Sequence, residues 1–126
     1  SEPETCALKD LTEFCLFEGS ISYHSSGEEI YWQFNQSKEE KDRDLQIAKK
    51  ISKETTYNLL PEEEVNLGNG YKDWFIENYK KPALTMEVSP YVGERKVPQK
   101  YYPQIFQQNK NVPIIFAKEI SNNSLN

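Results

Sequence analysis

One histidine occurs in 126 residues, within Ser22-Tyr23-His24-Ser25-Ser26-Gly27-Glu28-Glu29-Ile30-Tyr31-Trp32. An imidazole can bind a metal or move a proton near neutral pH. His24 falls where an apolar-polar run breaks into the polar turn Ser25-Ser26-Gly27-Glu28, before apolar character resumes at Ile30. Two readings are open. His24 is a hydrogen-bonded residue near a strand end, or it is a metal ligand at the place where loops leave a sheet and sites collect. The second candidate is Glu87, in Ala83-Leu84-Thr85-Met86-Glu87-Val88. That near-continuous apolar run suits a strand covered on both faces, and Glu87 interrupts it. A carboxylate there is either paired structurally or placed for chemistry.

The elements that must position these groups follow from periodicity. Residues 2–14 read as an amphipathic helix, with Ala7, Leu8, Leu11 and Phe14 or Cys15 at helical spacing. Ser1 and Glu4 have the spacing of a capping box, and Pro3 suits the first turn. A chain that opens on a helix cap suggests a piece of something longer. Residues 19–24 read as a short strand ending at His24. Glu28-Glu29 reads as a solvated turn, and Ile30–Phe34 as a second strand.

Ser37 and Glu40 form another capping box. It opens a helix over Glu39–Thr55 that turns Leu45, Ile47, Ala48 and Ile51 to the core. The mixed charges of residues 39–44 mark its wet face. Tyr57–Leu60 suits a brief strand. Residues 61–70 read as a loop whose Gly68 and Gly70 allow positive φ or close approach. Tyr71–Lys80 reads as a helix with Trp74, Phe75 and Asn78 or Tyr79 on one face, ended by Pro82. After a charged loop come helical stretches at Pro103–Asn109 and Pro113–Ile120, then a polar tail over 121–126. Helices interleaved with strands, one of them buried, give an α/β layered fold with a mostly parallel or mixed sheet.

Composition narrows the function. A chain of 126 residues is one domain or less. The net charge of −5 disfavours a nucleic-acid partner, which calls for a basic face. No apolar run approaches the ~18 residues of a membrane span, so no membrane partner is expected. Cys6 and Cys15, nine positions apart, lack the spacing of a zinc knuckle or redox pair and read as buried thiols.

Taken in order, Ser1-Glu2-Pro3-Glu4-Thr5, Tyr23-His24-Ser25-Ser26-Gly27-Glu28, Gly70-Tyr71-Lys72-Asp73-Trp74-Phe75 and Pro82-Ala83-Leu84-Thr85-Met86-Glu87 carry a resemblance. The stretch to about Ile120 resembles the C-terminal part of an M14-type zinc carboxypeptidase, most nearly the bacterial γ-D-glutamyl-diaminopimelate peptidases. The resemblance implies a mixed eight-stranded sheet flanked by helices. It also implies one zinc held by the His and Glu of an HxxE motif and by a later histidine, which His24 matches. Glu87 matches the catalytic glutamate of the last strand, and the chemistry implied is metal-assisted hydrolysis of peptides or muropeptides.

Lys72 matches a position lining the specificity pocket, where it would favour an acidic substrate group; its other reading is a surface lysine on a helix. The family's substrate-closing tyrosine falls near Val65, which is not a tyrosine, with Tyr71 and Tyr91 as neighbouring candidates.

The chain departs from the family in lacking HxxE, a second histidine, and the Asn-Arg pair and arginine expected upstream. It is therefore expected to be inactive and metal-free alone. The alternative is a non-catalytic relative that binds peptide or peptidoglycan. Loss of the preceding strands would expose a sheet edge and invite self-association. Whether the intact protein is bacterial cytoplasmic or secreted is not set by these residues.

Overall fold

A computed structural model describes residues 2–61 and 70–125. The sequence-level expectations for Ser1, for Val65 and for Gly68 in its loop lie outside them. In chain order the elements are α1 (Pro3–Cys15), β1 (Ser20–Ser25), β2 (Glu29–Tyr31), α2 (Lys38–Thr55), β3 (Asn58–Leu59), α3 (Tyr71–Tyr79), β4 (Ala83–Val88), a 3-10 turn at Gln99–Tyr101, α4 (Tyr102–Asn109) and α5 (Val112–Asn122). The strands form one mixed sheet in the order β1-β4-β2-β3. β4 lies parallel to β1 and antiparallel to β2, and β2 lies parallel to β3. The last strand in sequence is thus inserted between the first two. The fold is α/β with helices flanking a mixed sheet.

Side chains alternate along a strand, so β4 sends successive residues to opposite layers. Leu84 and Met86 join Ile30 and Trp32 in a cluster with Ile47, Ala48 and Ile51 of α2 and Val112 and Phe116 of α5. Ala83, on the opposite parity, packs with Phe34 and with Phe75 and Ile76 of α3. Gly19 admits α5 at the entrance of β1. A Cβ there would sit 2.5 Å from Ile120 Cδ1 and 2.9 Å from the Phe116 ring.

α2 starts as its sequence directs. The Glu40 N–H donates to Ser37 Oγ and the Ser37 N–H donates to Glu40 Oε2, both at 3.2 Å. Three expectations need correction. β2 stops at Tyr31 rather than Phe34, because the Gln36 side chain takes over the backbone groups beyond. Its Nε2 donates to the Trp32 carbonyl at 2.9 Å, and its Oε1 accepts from the Phe34 N–H at 2.6 Å. Asp44, assigned to the wet face of α2, is 1% exposed. It accepts from Arg43 Nε at 2.7 Å and Gln36 Nε2 at 3.0 Å. Cys6 and Cys15 are exposed rather than buried, and Leu8, Leu11 and Phe14 of the same helix are exposed beside them. Leu11 is 51% and Phe14 86% exposed, and the buried residue of that helix is Thr12. Thr12 Oγ1 donates to the Leu8 carbonyl and shares a 2.8 Å hydrogen bond with the Tyr71 hydroxyl.

Candidate functional site

His24 and Glu87 are 63 residues apart in the chain, yet the parallel pairing of β1 with β4 sets them opposite one another. Both lie one residue before the C-terminal end of their strands. Glu29, at the start of β2, is the register partner of Glu87 on its other side. In-register neighbours point to the same face of a sheet, so His24, Glu87 and Glu29 form a row across three strands. Their face is the one that carries Ala83 and α3. The open ground beyond the carboxyl ends of strands is where α/β sheets place ligands.

The turn after His24 is tied to the loop after β4. Gly27 N–H donates to the Ser89 carbonyl at 3.0 Å, and Val92 N–H donates to Ser26 Oγ at 3.0 Å. Gly27 has φ 147°, a conformation that side chains rarely tolerate; the Ser25–Ser26 peptide bond is cis. Between the two loops lies a cavity of about 370 Å3 that Glu29, Tyr31, Glu87, Tyr91 and Glu94 help to line. Burial pushes the Glu87 carboxyl above the ordinary carboxylate range. The neighbouring His24 pulls it down, and Glu29 pushes it up. A carboxylate so placed holds a proton more readily than a free one, which suits a group that must take a proton and give it back.

Glu29 was hidden by its neighbour. Read as a turn, Glu28-Glu29 is solvated; in the structure Glu28 turns the chain with φ 55° and Glu29 already belongs to β2. Tyr31 Oη donates to Glu29 Oε2 at 3.2 Å. The i, i+2 spacing of Glu29 and Tyr31 ahead of Trp32 was the available signal. Tyr91 reaches the cavity of Glu87, whereas Tyr71 is engaged with Thr12.

Lys72 is placed elsewhere. It is 5% exposed, and its ammonium is bonded to Asp73 and donates to the Gln33 carbonyl at 2.9 Å, with the Phe34 ring 6.0 Å away. Lys72 and Asp73 thereby join the first turn of α3 to the segment after β2. Neither lines the cavity beside Glu87.

Among the described residues no group of three or more His, Cys, Asp and Glu side chains is placed to hold a metal ion. A catalytic zinc takes three protein ligands and keeps one position open. The single imidazole of this chain does not make such a site by itself.

No family model matches the chain. Over 108 residues it is 30% identical to gamma-D-glutamyl-L-diamino acid endopeptidase 1 of Lysinibacillus sphaericus, which covers 86% of this chain and 26% of that protein. It is also 23% identical over 112 residues to the uncharacterized protein YqgT of Bacillus subtilis (strain 168), covering 89% of this chain and 29% of that one. The first likeness supports a peptidase-related family. The chain spans between a quarter and a third of the length of these relatives.

Proposed function

We propose that this chain is the part of a zinc peptidase of the M14 type that carries the general base and one zinc ligand, and that the whole protein hydrolyses bacterial cell-wall peptides. The observation that carries the reading is the register of His24 with Glu87 at parallel strand ends. The likeness to an endopeptidase named for γ-D-glutamyl-L-diamino acid bonds supports the substrate class. In this reading His24 is one of three zinc ligands, and the other two belong to polypeptide outside these 126 residues. Glu87 takes a proton from the attacking water and passes it to the leaving amine. Its partial burial and the adjacent Glu29 make it a stronger base than an exposed carboxylate. Lys72 serves the fold, since reading an acidic substrate group would require its ammonium to leave Asp73.

Two measurements test this reading. Calorimetric titration of the 126-residue chain with zinc is expected to show no tight stoichiometric site. One-to-one tight binding abolished by His24→Ala would overturn the partial-site reading. In the longer protein, Glu87→Gln is expected to lower kcat on γ-D-glutamyl-diamino acid peptides by about 10²–10⁴ with little change in KM; an unchanged kcat removes Glu87 from the chemistry. The alternative is a relative that binds such peptides without cutting them. Saturable peptide binding with no hydrolysis by the longer protein would select it.

A further inference from the structure

β4 separates two kinds of polar group. On its β1 side Glu87 is paired with His24, and on its β2 side with Glu29. The seam between β4 and β2 lies inside the sheet, so strands added beyond the outer edge of β1 leave it as it is. Glu29 and Tyr31 are two residues apart on β2 and point to the same face as Glu87.

The cavity over this seam, about 370 Å3, has the size of a small-molecule site. Among the described residues its charged lining is Glu29, Glu87 and Glu94, with Tyr31 and Tyr91 beside them. Lys72, the basic side chain that would have read an acidic group, is bonded to Asp73 and the Gln33 carbonyl instead. Glu29 is held in place from two directions. Tyr31 Oη donates to its Oε2 at 3.2 Å. Gly27 lies against it from the turn after β1: a Cβ there would stand 3.7–3.9 Å from Cδ, Oε2 and Cγ of Glu29. That turn is itself tethered, the Gly27 N–H donating to the Ser89 carbonyl at 3.0 Å. A carboxylate aimed by a phenol and flanked by a tethered turn is set for a charge-assisted hydrogen bond, and its surroundings favour a cation.

We propose that Glu29 determines specificity: its carboxylate accepts a hydrogen bond from the side-chain ammonium of the substrate residue that carries the leaving amine, a lysine-type diamino acid. This rests on the peptidase reading above, in which Glu87 passes its proton to that amine. The leaving residue then begins at Glu87, and its side chain has Glu29 one strand away, at the ~4.5–5.5 Å Cα spacing of directly opposed residues. Tyr31 is a positioning residue that acts through Glu29.

The test compares two γ-D-glutamyl peptides in the longer protein, one with L-lysine and one with L-norleucine after the scissile bond. Their side chains differ by the terminal ammonium. kcat/KM is expected to favour lysine at least about tenfold, and Glu29→Gln to bring the ratio within about threefold of one. Any influence of Glu29 on Glu87 falls on both peptides and cancels in the ratio. Should Glu29→Gln misfold, Tyr31→Phe removes the bond that aims the carboxylate and is expected to lower the ratio by about two- to tenfold. Calorimetric binding of the same peptides separates recognition from hydrolysis. Lysine-selective binding without cleavage would remove the peptidase reading and keep the ammonium site. Cleavage with no preference for lysine, or with a preference indifferent to a folded Glu29→Gln or, in its place, Tyr31→Phe, would overturn the role of Glu29 and leave the peptidase reading standing. Failure to bind or cleave either peptide would overturn both.

Discussion

α1 and α2 read alike in the sequence: each has apolar residues at helical spacing and a capping box at its start. They end in opposite circumstances. α2 is capped at its start by reciprocal bonds between Ser37 and Glu40 and buries Ile47, Ala48 and Ile51 against β4, β2 and α5. α1 starts at Glu2 with no side-chain cap, and its one buried residue is a threonine. Periodicity selects a helix and names its apolar side. It does not supply the surface that covers that side. The difference is therefore one of partners, since α2 finds three within the chain and α1 is tied to α3 through the Thr12–Tyr71 hydrogen bond.

The comparison can be broken most forcefully at Ile51. Truncation to alanine there empties part of the main cluster and is expected to cost about 2–5 kcal/mol, measured by denaturant unfolding. A loss below about 1 kcal/mol would mean that α2 is no better anchored than α1. Removing the cap is a smaller cut: Ser37→Ala is expected to cost about 0.5–2 kcal/mol, and its absence would place the start of α2 under tertiary rather than local control.

Asp44 sharpens the contrast through pH. Burial holds its carboxyl above the ordinary range, with the bonds from Arg43 and Gln36 pulling the other way. The folded state thus binds this proton at a higher pH than the unfolded state, whose value is ~3.9. Its contribution to stability grows as pH falls through the folded value and is complete below the unfolded one; it is lost as pH rises. Unfolding free energies of wild type and Asp44→Asn, taken across that window, are expected to converge differently at the two ends, with the wild type losing ground towards neutral pH. Parallel curves would mean that Asp44 titrates as a solvated group.

The smallest effect is expected on α1. Leu11 is 51% exposed, and Leu11→Ala should change the stability of this chain by no more than about 0.5 kcal/mol. A loss comparable to Ile51→Ala would show that the face of α1 is covered after all.

What the sequence determined by itself was local. The helices of residues 38–55 and 71–79 and the strands ending near His24 and Val88 were legible from spacing, caps and proline positions, because each signal is complete within a few turns of chain. His24 and Glu87 were legible as candidates, since each interrupts a pattern. Their adjacency was not. It depends on β4 entering between β1 and β2, a pairing between segments some sixty residues apart on which no local period reports. Glu29 gained its place from the same insertion. The burial of Lys72, Asp73 and Asp44 was likewise decided in three dimensions, because a charged side chain goes inside only where a partner waits for it. The Gln33 carbonyl and the Gln36 amide wait on the segment after β2, on no helix of their own.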